Sequence, residues 1–281
     1  MVKLAEHALR TRLRRRGFQT RWIDTDSGRV HVLESQGSGD LPPLVLMHGL
    51  SAAGVHFRPI LERLCARHRR VILPDLPGHG FSDPPHEGMS PEVLYQSMLQ
   101  VLDTVVEEPS IFFGNSLGGV GSVRYAGVRP ERVQGLILLS PGGALMGHHE
   151  LRSFLEVFDL RTHRQALAFV DRLFDKPPAY RQVLAWGARR TFSAPAVREL
   201  IGSITSEDLL KPQELAELRM PTLVLWGAAD GVLPQYQLDY WRTHLPAHAS
   251  FLVEDGFGHC AFLDRPRLVV EHMLRFAEAV S

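Results

Sequence analysis

The sequence predicts an α/β protein with a mostly parallel, doubly wound β-sheet and a helical insertion. Short, nearly continuous apolar runs recur along the chain, which is typical of strands that are buried on both faces. Segments with helical periodicity alternate with these runs and indicate right-handed crossover connections. One interval between two strands is too long for a single crossover helix, so it predicts an insertion.

The predicted elements follow one another in a regular order. A hairpin comes first, because residues 19–24 and 29–34 flank the turn Asp26-Ser27-Gly28. Apolar runs then predict strands at residues 44–47, 71–74, 111–113, 136–139, 222–226 and 251–253. The predicted helices cover residues 55–67, 91–106, 117–128 and 266–279.

These elements divide the chain into a core, an insertion and a leader. Residues 18–145 and 215–281 form the predicted core, and residues 146–214 form a helical insertion over the sheet. The insertion carries two apolar patches with helical spacing. They comprise Phe154, Leu155, Val157, Phe158 and Leu160, and Leu167, Phe169, Val170, Leu173 and Phe174.

The leader, residues 1–17, is predicted to be a helix with six basic residues and one acidic residue, Glu6. Its apolar residues fall loosely on one helical face: Leu4, Ala8, Leu9 and Leu13. Two interpretations stay open, a weak contact with an anionic membrane surface and a solvated helix. No apolar segment follows the charges, so we do not expect a secretory signal.

Composition and charge exclude several classes of protein. The chain has 281 residues, of which 44% are hydrophobic and 22% charged, as in ordinary globular proteins. Because 31 basic residues balance 31 acidic ones, we expect no nucleic-acid partner. The two cysteines, Cys65 and Cys260, exclude a disulfide framework and fit a reducing, cytoplasmic location. His148 and His149 precede Glu150, but no further ligand has suitable spacing, so we expect no metal or other cofactor.

The most informative segment is Gly114-Asn115-Ser116-Leu117-Gly118-Gly119, which matches G-x-S-x-G between a predicted buried strand and a predicted helix. Such a sharp turn holds the serine in a strained conformation and presents its hydroxyl to a cleft. Gly114 and Gly118 must then lie close together, and Gly119 and Gly121 are expected to let the helix pack tightly on the sheet. The helix N-terminus also offers free N–H groups where negative charge develops.

With this turn and four further motifs in the same order, the chain resembles the α/β-hydrolase fold family over nearly its whole length beyond the leader. His48-Gly49-Leu50 resembles the oxyanion loop of the family, and residues 75–82 resemble its D-x-P-G-x-G-x-S loop. Residues 227–230 and Gly258-His259 resemble its acid and histidine loops. The insertion lies where the family has its cap. The resemblance implies the fold, whereas the substrate does not follow from it.

The resemblance also implies site residues. A serine hydroxyl needs a base, and the base needs an orienting carboxylate. The order of the family, serine then acid then histidine, implies that Ser116 is the nucleophile, Asp230 the acid and His259 the base. The backbone N–H groups of Leu50 and Leu117 are implied as the oxyanion hole.

Three functions stay open. The first is a serine hydrolase that cleaves carboxylic esters of small, fairly hydrophobic substrates through an acyl-enzyme. The second is a C–C bond hydrolase of aromatic meta-cleavage products, since the serine turn is similar and Arg189 or Arg190 could imitate its cap arginine. That group, however, has a Gly-rich loop where this chain has Leu50-Ser51-Ala52 and a Trp where it has Cys260. The third is a non-catalytic ligand receptor on a hydrolase scaffold.

Overall fold

The computed structural model describes residues 2–281 and contains one eight-stranded sheet. The strands are β1 (Gln19–Thr25), β2 (Gly28–Gln36), β3 (Leu44–Met47), β4 (Arg70–Pro74), β5 (Ser110–Asn115), β6 (Val133–Leu139), β7 (Thr222–Gly227) and β8 (Ser250–Glu254). They are arranged in the order β1-β2-β4-β3-β5-β6-β7-β8, in which β2 is antiparallel to both of its neighbours and all other pairs are parallel. The predicted mostly parallel, doubly wound sheet is therefore confirmed.

The helices alternate with the strands, except for a group between β6 and β7. Outside that group the helices are α1 (Val2–Arg15), α2 (Arg58–Cys65), α3 (Pro91–Val105), α4 (Leu117–Val128), α10 (Gln235–His244), α11 (Ala261–Asp264) and α12 (Pro266–Ala279). The group itself comprises α5 (His148–Leu155), α6 (His163–Leu173), α7 (Arg181–Phe192), α8 (Pro195–Ser203) and α9 (Pro212–Ala216). The group extends from His148 to Ala216, so its last helix runs two residues past the predicted insertion of residues 146–214. None of the helices between Val2 and Ser281 has the length and apolarity of a membrane span.

The central strands are buried on both faces because helices cover both sides of the sheet. In β3, for example, Val45 and Met47 belong to the apolar cluster on one side, while Leu44 and Leu46 belong to the cluster on the other side. This alternation follows from the period of two in a strand. It explains why the strand signal in the sequence is a continuous apolar run.

Two elements differ from their sequence-based predictions. Strand β8 pairs only with β7 at the edge of the sheet, so Leu252 and Val253 are 39% and 43% exposed rather than buried. The segment predicted as one helix over residues 55–67 begins as a 3₁₀ turn, Gly54–Phe57, and becomes α-helical only at Arg58. Helix α10 has no counterpart among the predicted helices.

The leader helix α1 packs on the core. Leu13 is almost fully buried and Leu9 is partly buried against the same apolar cluster, while Leu4 is 77% exposed. Arg10 lies over the ring of Phe81, with 3.9 Å between the guanidinium carbon and the ring centre. The C-terminal half of the apolar face, Leu9 and Leu13, is thus covered by the protein itself, whereas Leu4 and Ala8 are exposed. A contact of α1 with a membrane stays a prediction.

We predict that Gly118→Ala destabilises the protein, because a Cβ atom there would overlap the carbonyl oxygen of Met47 in β3. Such backbone overlap costs about 1–3 kcal/mol of the free energy of unfolding. Gly121→Ala is the matched control in the same helix, since its Cβ would lie 3.6 Å from Met47 Cε, an ordinary contact. Urea denaturation measures both variants. Equal midpoints would contradict the prediction, and so would a lower midpoint for the control alone.

Candidate active site

The turn between β5 and α4 holds Ser116 in an unusual backbone conformation. Ser116 has φ 55° and ψ −117°, which is a strained region for a residue with a side chain. The turn is tight enough that a Cβ at Gly114 would lie 2.6 Å from the Gly118 carbonyl oxygen. The Ser116 N–H donates to the carbonyl of Leu139 (3.2 Å), which anchors the turn to β6. The glycines named in the motif are therefore required by backbone packing, except Gly121, where a Cβ has room.

The segment after β3, residues 48–52, which we call the HG loop, lies directly against this turn. A Cβ at Gly49 would lie 3.2 Å from Ser116 Cβ, so the main chain of the loop faces the serine. Within residues 2–281, no carbonyl or side chain accepts a hydrogen bond from the Leu50 N–H. Leu117 is the first residue of α4, where the N–H has no partner inside the helix. Two backbone donors therefore flank Ser116.

The HG loop is attached to the insertion by one short hydrogen bond. Ser51, which has a positive φ of 62°, donates from Oγ to Oγ1 of Thr191 in α7 (2.6 Å). Thr191 Oγ1 in turn donates to the carbonyl of Ala188 (3.2 Å), so both hydroxyls are used. The backbone of the HG loop beside Ser116 is thus coupled to the position of α7.

Asp230 and His259 form a buried pair. His259 Nδ1 lies 2.8 Å from Asp230 Oδ2, and the side chains are only 6% and 1% exposed. The N–H groups of Val232 and Leu233 donate to the other oxygen, Oδ1, at 2.9 Å and 3.0 Å. Burial alone would raise the pKa of Asp230, but His259 and these two donors hold the pKa below its ordinary value. The carboxylate therefore stays ionised and keeps the Nδ1 hydrogen of His259 directed toward it.

The acidic residues just before His259 are placed differently. Glu254 Oε1 lies 3.0 Å from Nε2 of His272 in α12, and Asp255 is exposed to solvent. Neither carboxylate forms an ion pair or hydrogen bond with His259 in the part of the chain that the structure describes. Of these three acidic residues, only Asp230 forms an ion pair with the histidine.

Ser116 is next to this pair but is not bonded to it. Among residues 2–281, the Ser116 hydroxyl has no hydrogen-bond partner, so no serine–histidine bond is formed. The neighbouring Asn115 links the two segments, because its Nδ2 donates to the carbonyls of both Leu139 and His259 (3.0 Å each). Hydrogen bonds between nucleophile and base are often looser without substrate. The structure thus brings acid and base together and leaves the serine hydroxyl available.

The C-terminal end of α6 supports both loops that carry the pair. The carbonyl of Arg172 accepts from the Gly231 N–H (3.1 Å), next to Asp230, and the carbonyl of Leu173 accepts from the Cys260 N–H (3.2 Å), next to His259. Helix ends leave such carbonyls without intrahelical partners, so the loops satisfy them. Sequence reasoning missed these contacts, because a backbone carbonyl carries no residue-specific signal.

A cluster of buried polar residues supports the start of the HG loop. Asp75 accepts hydrogen bonds from the N–H groups of Gly54 (2.7 Å) and Phe81 (3.0 Å), and His31 Nδ1 lies 2.9 Å from it. His48 donates from Nδ1 to the Gly49 carbonyl (2.8 Å) and accepts from the Leu76 N–H (2.9 Å). Burial lowers the pKa of His48 to about 4, so the ring is neutral at pH 7. His48 therefore holds two loops together, and the contribution of His31 was missed by the sequence analysis.

Comparisons with known proteins agree with this architecture. A family model described as the alpha/beta hydrolase fold matches residues 42–177. Over 258 residues the chain is 30% identical to a pimeloyl-[acyl-carrier protein] methyl ester esterase of Xanthomonas campestris pv. campestris (strain B100), covering 86% of this chain and 97% of that protein. It is 28% identical to a 2-hydroxymuconate semialdehyde hydrolase of Pseudomonas sp. (strain CF600), covering 89% of this chain and 88% of that protein.

A solved structure has the same fold. The carboxylesterase CesB from Bacillus subtilis superposes with a TM-score of 0.77 at 21% identity, covering 98% of each chain. Together with the strand order, the serine turn and the matched relatives, this likeness identifies the fold family. The chain belongs to the α/β-hydrolase family.

Proposed function

We propose that the protein is a serine hydrolase that cleaves carboxylic esters of small, fairly hydrophobic substrates through an acyl-enzyme. The observation that carries this proposal is the buried Asp230–His259 pair beside the strained Ser116 turn. Relatives named as esterases, such as the methyl ester esterase of Xanthomonas campestris, support the ester as the bond that is cleaved.

In the proposed mechanism, His259 acts first as base and then as acid. Nδ1 of His259 is held by Asp230, so Nε2 is free to take the proton of the Ser116 hydroxyl as the hydroxyl attacks the ester carbonyl. His259 then gives that proton to the leaving alcohol. A water molecule activated by His259 attacks the acyl-enzyme, releases the acid and restores Ser116.

The negative charge that develops on the carbonyl oxygen needs donors in fixed positions. We propose that the N–H groups of Leu50 and Leu117 are these donors, since they flank Ser116 and have no other acceptor in the described part of the chain. Donors that are already in place cost no reorganisation during the reaction, and losing one typically slows it by about 10²–10³-fold.

The insertion, residues 146–214, is proposed as a cap that selects substrates. Its aromatic residues Phe158, Phe169 and Phe192 pack on one another with ring-centre distances of 5.0 to 5.9 Å, so they form its own core. Because these rings pack on one another, we assign substrate selection to other residues of the insertion, those of α7 and α8 that lie beside the HG loop. A cytoplasmic location is proposed with this function, because both cysteines are free thiols.

The C–C bond hydrolase is kept as a second candidate because one matched relative is a semialdehyde hydrolase of that type. Its recognition of an acidic substrate would need a free cation at the site. Arg189 donates from Nε to the carbonyl of Arg161 (3.0 Å), a contact within the insertion. Arg190 is exposed beside Ser51 and forms no ion pair with any residue between Val2 and Ser281, so it is the arginine to test. A non-catalytic receptor would hydrolyse no ester at all.

Ser116→Ala is expected to abolish covalent labelling by a fluorophosphonate probe, because the probe reacts with an activated serine. Ester hydrolysis should fall to about a thousandth or less of the original rate. Ser140→Ala is the matched control, since Ser140 also has a positive φ but lies at the end of β6 with its hydroxyl on the Gly227 N–H. Equal labelling of wild type and Ser116→Ala would contradict the assignment.

Asp230→Asn is expected to lower kcat by about 10⁴-fold, because the amide cannot hold His259 in the required tautomer. Asp255→Asn removes an exposed carboxylate from the same side of the protein and should change kcat little. Steady-state kinetics with a p-nitrophenyl ester measures both variants. If Asp255→Asn were the slower enzyme, the acid would be wrongly assigned.

We predict that the wild type hydrolyses neutral esters of short to medium acyl length faster than a dienol-ketoacid, because none of the arginines and lysines between Leu4 and Ser281 is buried where it could pair with an acidic substrate. Arg190→Gln should leave the ratio of the two activities unchanged, as should the control Arg189→Gln. The assay is a panel of p-nitrophenyl esters and one dienol-ketoacid. Faster cleavage of the ketoacid, lost in Arg190→Gln alone, would favour C–C hydrolysis.

A further inference from the structure

A cavity of about 470 Å³ lies beside the HG loop. It is bounded by Ser51 and Ala52 of that loop, by residues 78–84, by the segment joining α7 and α8, and by Glu6 of the leader helix α1. Ser116 and His259 do not line it. Ser51, however, directly follows Leu50, so the wall of the cavity begins one residue, about 3.8 Å of chain, from the proposed oxyanion donor.

Most of the wall is apolar and made of small side chains. Ala194 contributes together with Pro195, Ala196 and Val197 from the first turn of α8, and Ala52, Gly78, Gly80 and Pro84 add further small or apolar surface. Such a space accommodates an alkyl chain and gains from removing it from water. Ligand pockets typically combine this apolar lining with a few placed polar groups.

Among the polar residues of this wall, Glu6 is the one carboxylate, and it is mostly buried. Its side chain is only 8% exposed, and its one ionisable neighbour at ion-pair distance is His56, with Nε2 3.5 Å from Oε1. The Ala53 N–H donates to His56 Nδ1 (3.2 Å), so the hydrogen of a neutral ring is on Nε2 and faces Glu6. Within residues 2–281, no other group forms an ion pair or hydrogen bond with the Glu6 carboxylate. Its oxygens are not among the fully buried polar atoms that lack a partner, so the carboxylate reaches the open space of the cavity.

The other charges around the cavity do not satisfy Glu6. Arg190 lies at its exposed rim, where solvent screens its charge. His79 donates from Nδ1 to the Pro77 carbonyl (2.8 Å), and burial lowers the pKa of His79, so its ring is neutral. Glu6 therefore gives the interior of the cavity an acceptor and a negative charge.

We infer that this cavity is a substrate subsite in which Glu6 binds a hydroxyl or ammonium group at the far end of the ester, an inference that rests on the proposed function. The apolar wall holds the intervening chain, and the carboxylate accepts a charge-assisted hydrogen bond from the terminal donor. Helix α1 is then part of the substrate-binding surface, and Glu6 determines specificity.

The test uses two series of esters. The first compares p-nitrophenyl hexanoate with its ω-amino, ω-hydroxy and ω-carboxy analogues, and the second compares hexyl acetates with the same end groups, in case the alcohol chain of the ester occupies the cavity. In the wild type, kcat/KM is expected to be highest for the amino ester, lower for the hydroxy ester and lowest for the carboxy ester. Glu6→Gln should lower the amino-to-carboxy ratio by about tenfold in one of the two series, as expected for the loss of a charged hydrogen-bond partner. Glu62→Gln is the matched control, because Glu62 pairs with Arg16 just after α1 but is exposed and does not line the cavity.

Two further variants separate binding from a structural role. His56→Ala removes the neighbour of Glu6 and leaves the carboxylate in place, so the amino-to-carboxy ratio should stay or rise. If Glu6 merely anchored α1 through His56, both variants would lower the ratio equally, and the inference would be wrong. Ala194→Phe fills the cavity. In the series that Glu6→Gln affects, it should lower kcat/KM for the unsubstituted six-carbon ester at least tenfold relative to the two-carbon ester, which is p-nitrophenyl acetate or ethyl acetate.

The outcomes also separate this inference from the proposed function. If the wild type hydrolyses none of the esters, the proposed function fails. The other case is that the esters are hydrolysed, but Glu6→Gln leaves the amino-to-carboxy ratio of kcat/KM unchanged and Ala194→Phe leaves the ratio for long and short chains unchanged. The proposed function then stands and the cavity is not a subsite.

Discussion

Strand β3, the Ser116 turn and the first turn of α4 are packed so closely that main chain touches main chain. A Cβ atom at Gly118 would overlap the Met47 carbonyl, and a Cβ at Gly49 would press on Ser116. Because side chains are absent at these contacts, the backbone of the HG loop and the first turn of α4 both lie against the Ser116 turn. The strained φ of Ser116 is held by this packing and by the hydrogen bond to Leu139.

Three hydrogen bonds join the insertion to the loops around Ser116, Asp230 and His259. The terminal carbonyls of α6 accept hydrogen bonds from the loops that carry Asp230 and His259, and Thr191 of α7 accepts one from Ser51. The segment proposed to enclose a substrate therefore also supports the groups proposed to react with it. A displacement of α6 or α7 would disturb both the acid–base pair and the HG loop, because their hydrogen bonds join the same helices.

The sequence was sufficient to predict the fully buried elements of the fold. It was also sufficient for those site residues that belong to a recognisable motif. The central strands produce continuous apolar runs, and the Ser116 turn is recognisable because its glycines are required by close backbone contacts. Strand β8 was wrongly expected to be buried, since an apolar run does not reveal that its strand lies at a sheet edge. The position of Glu6 in the cavity wall was missed for a related reason, because a lone acid in a basic helix gives no sign of facing a cavity formed by segments distant in sequence.

The central claim is that Ser116 reacts while the N–H groups of Leu50 and Leu117 bind the developing charge. A crystal structure of the protein inactivated with a p-nitrophenyl alkylphosphonate tests both parts at once, since the tetrahedral phosphorus imitates the reaction intermediate. We expect phosphorus bonded to Ser116 Oγ and one phosphoryl oxygen about 2.7–3.1 Å from both backbone nitrogen atoms. A phosphoryl oxygen directed away from the HG loop, or phosphorus bonded to another side chain, would contradict the account.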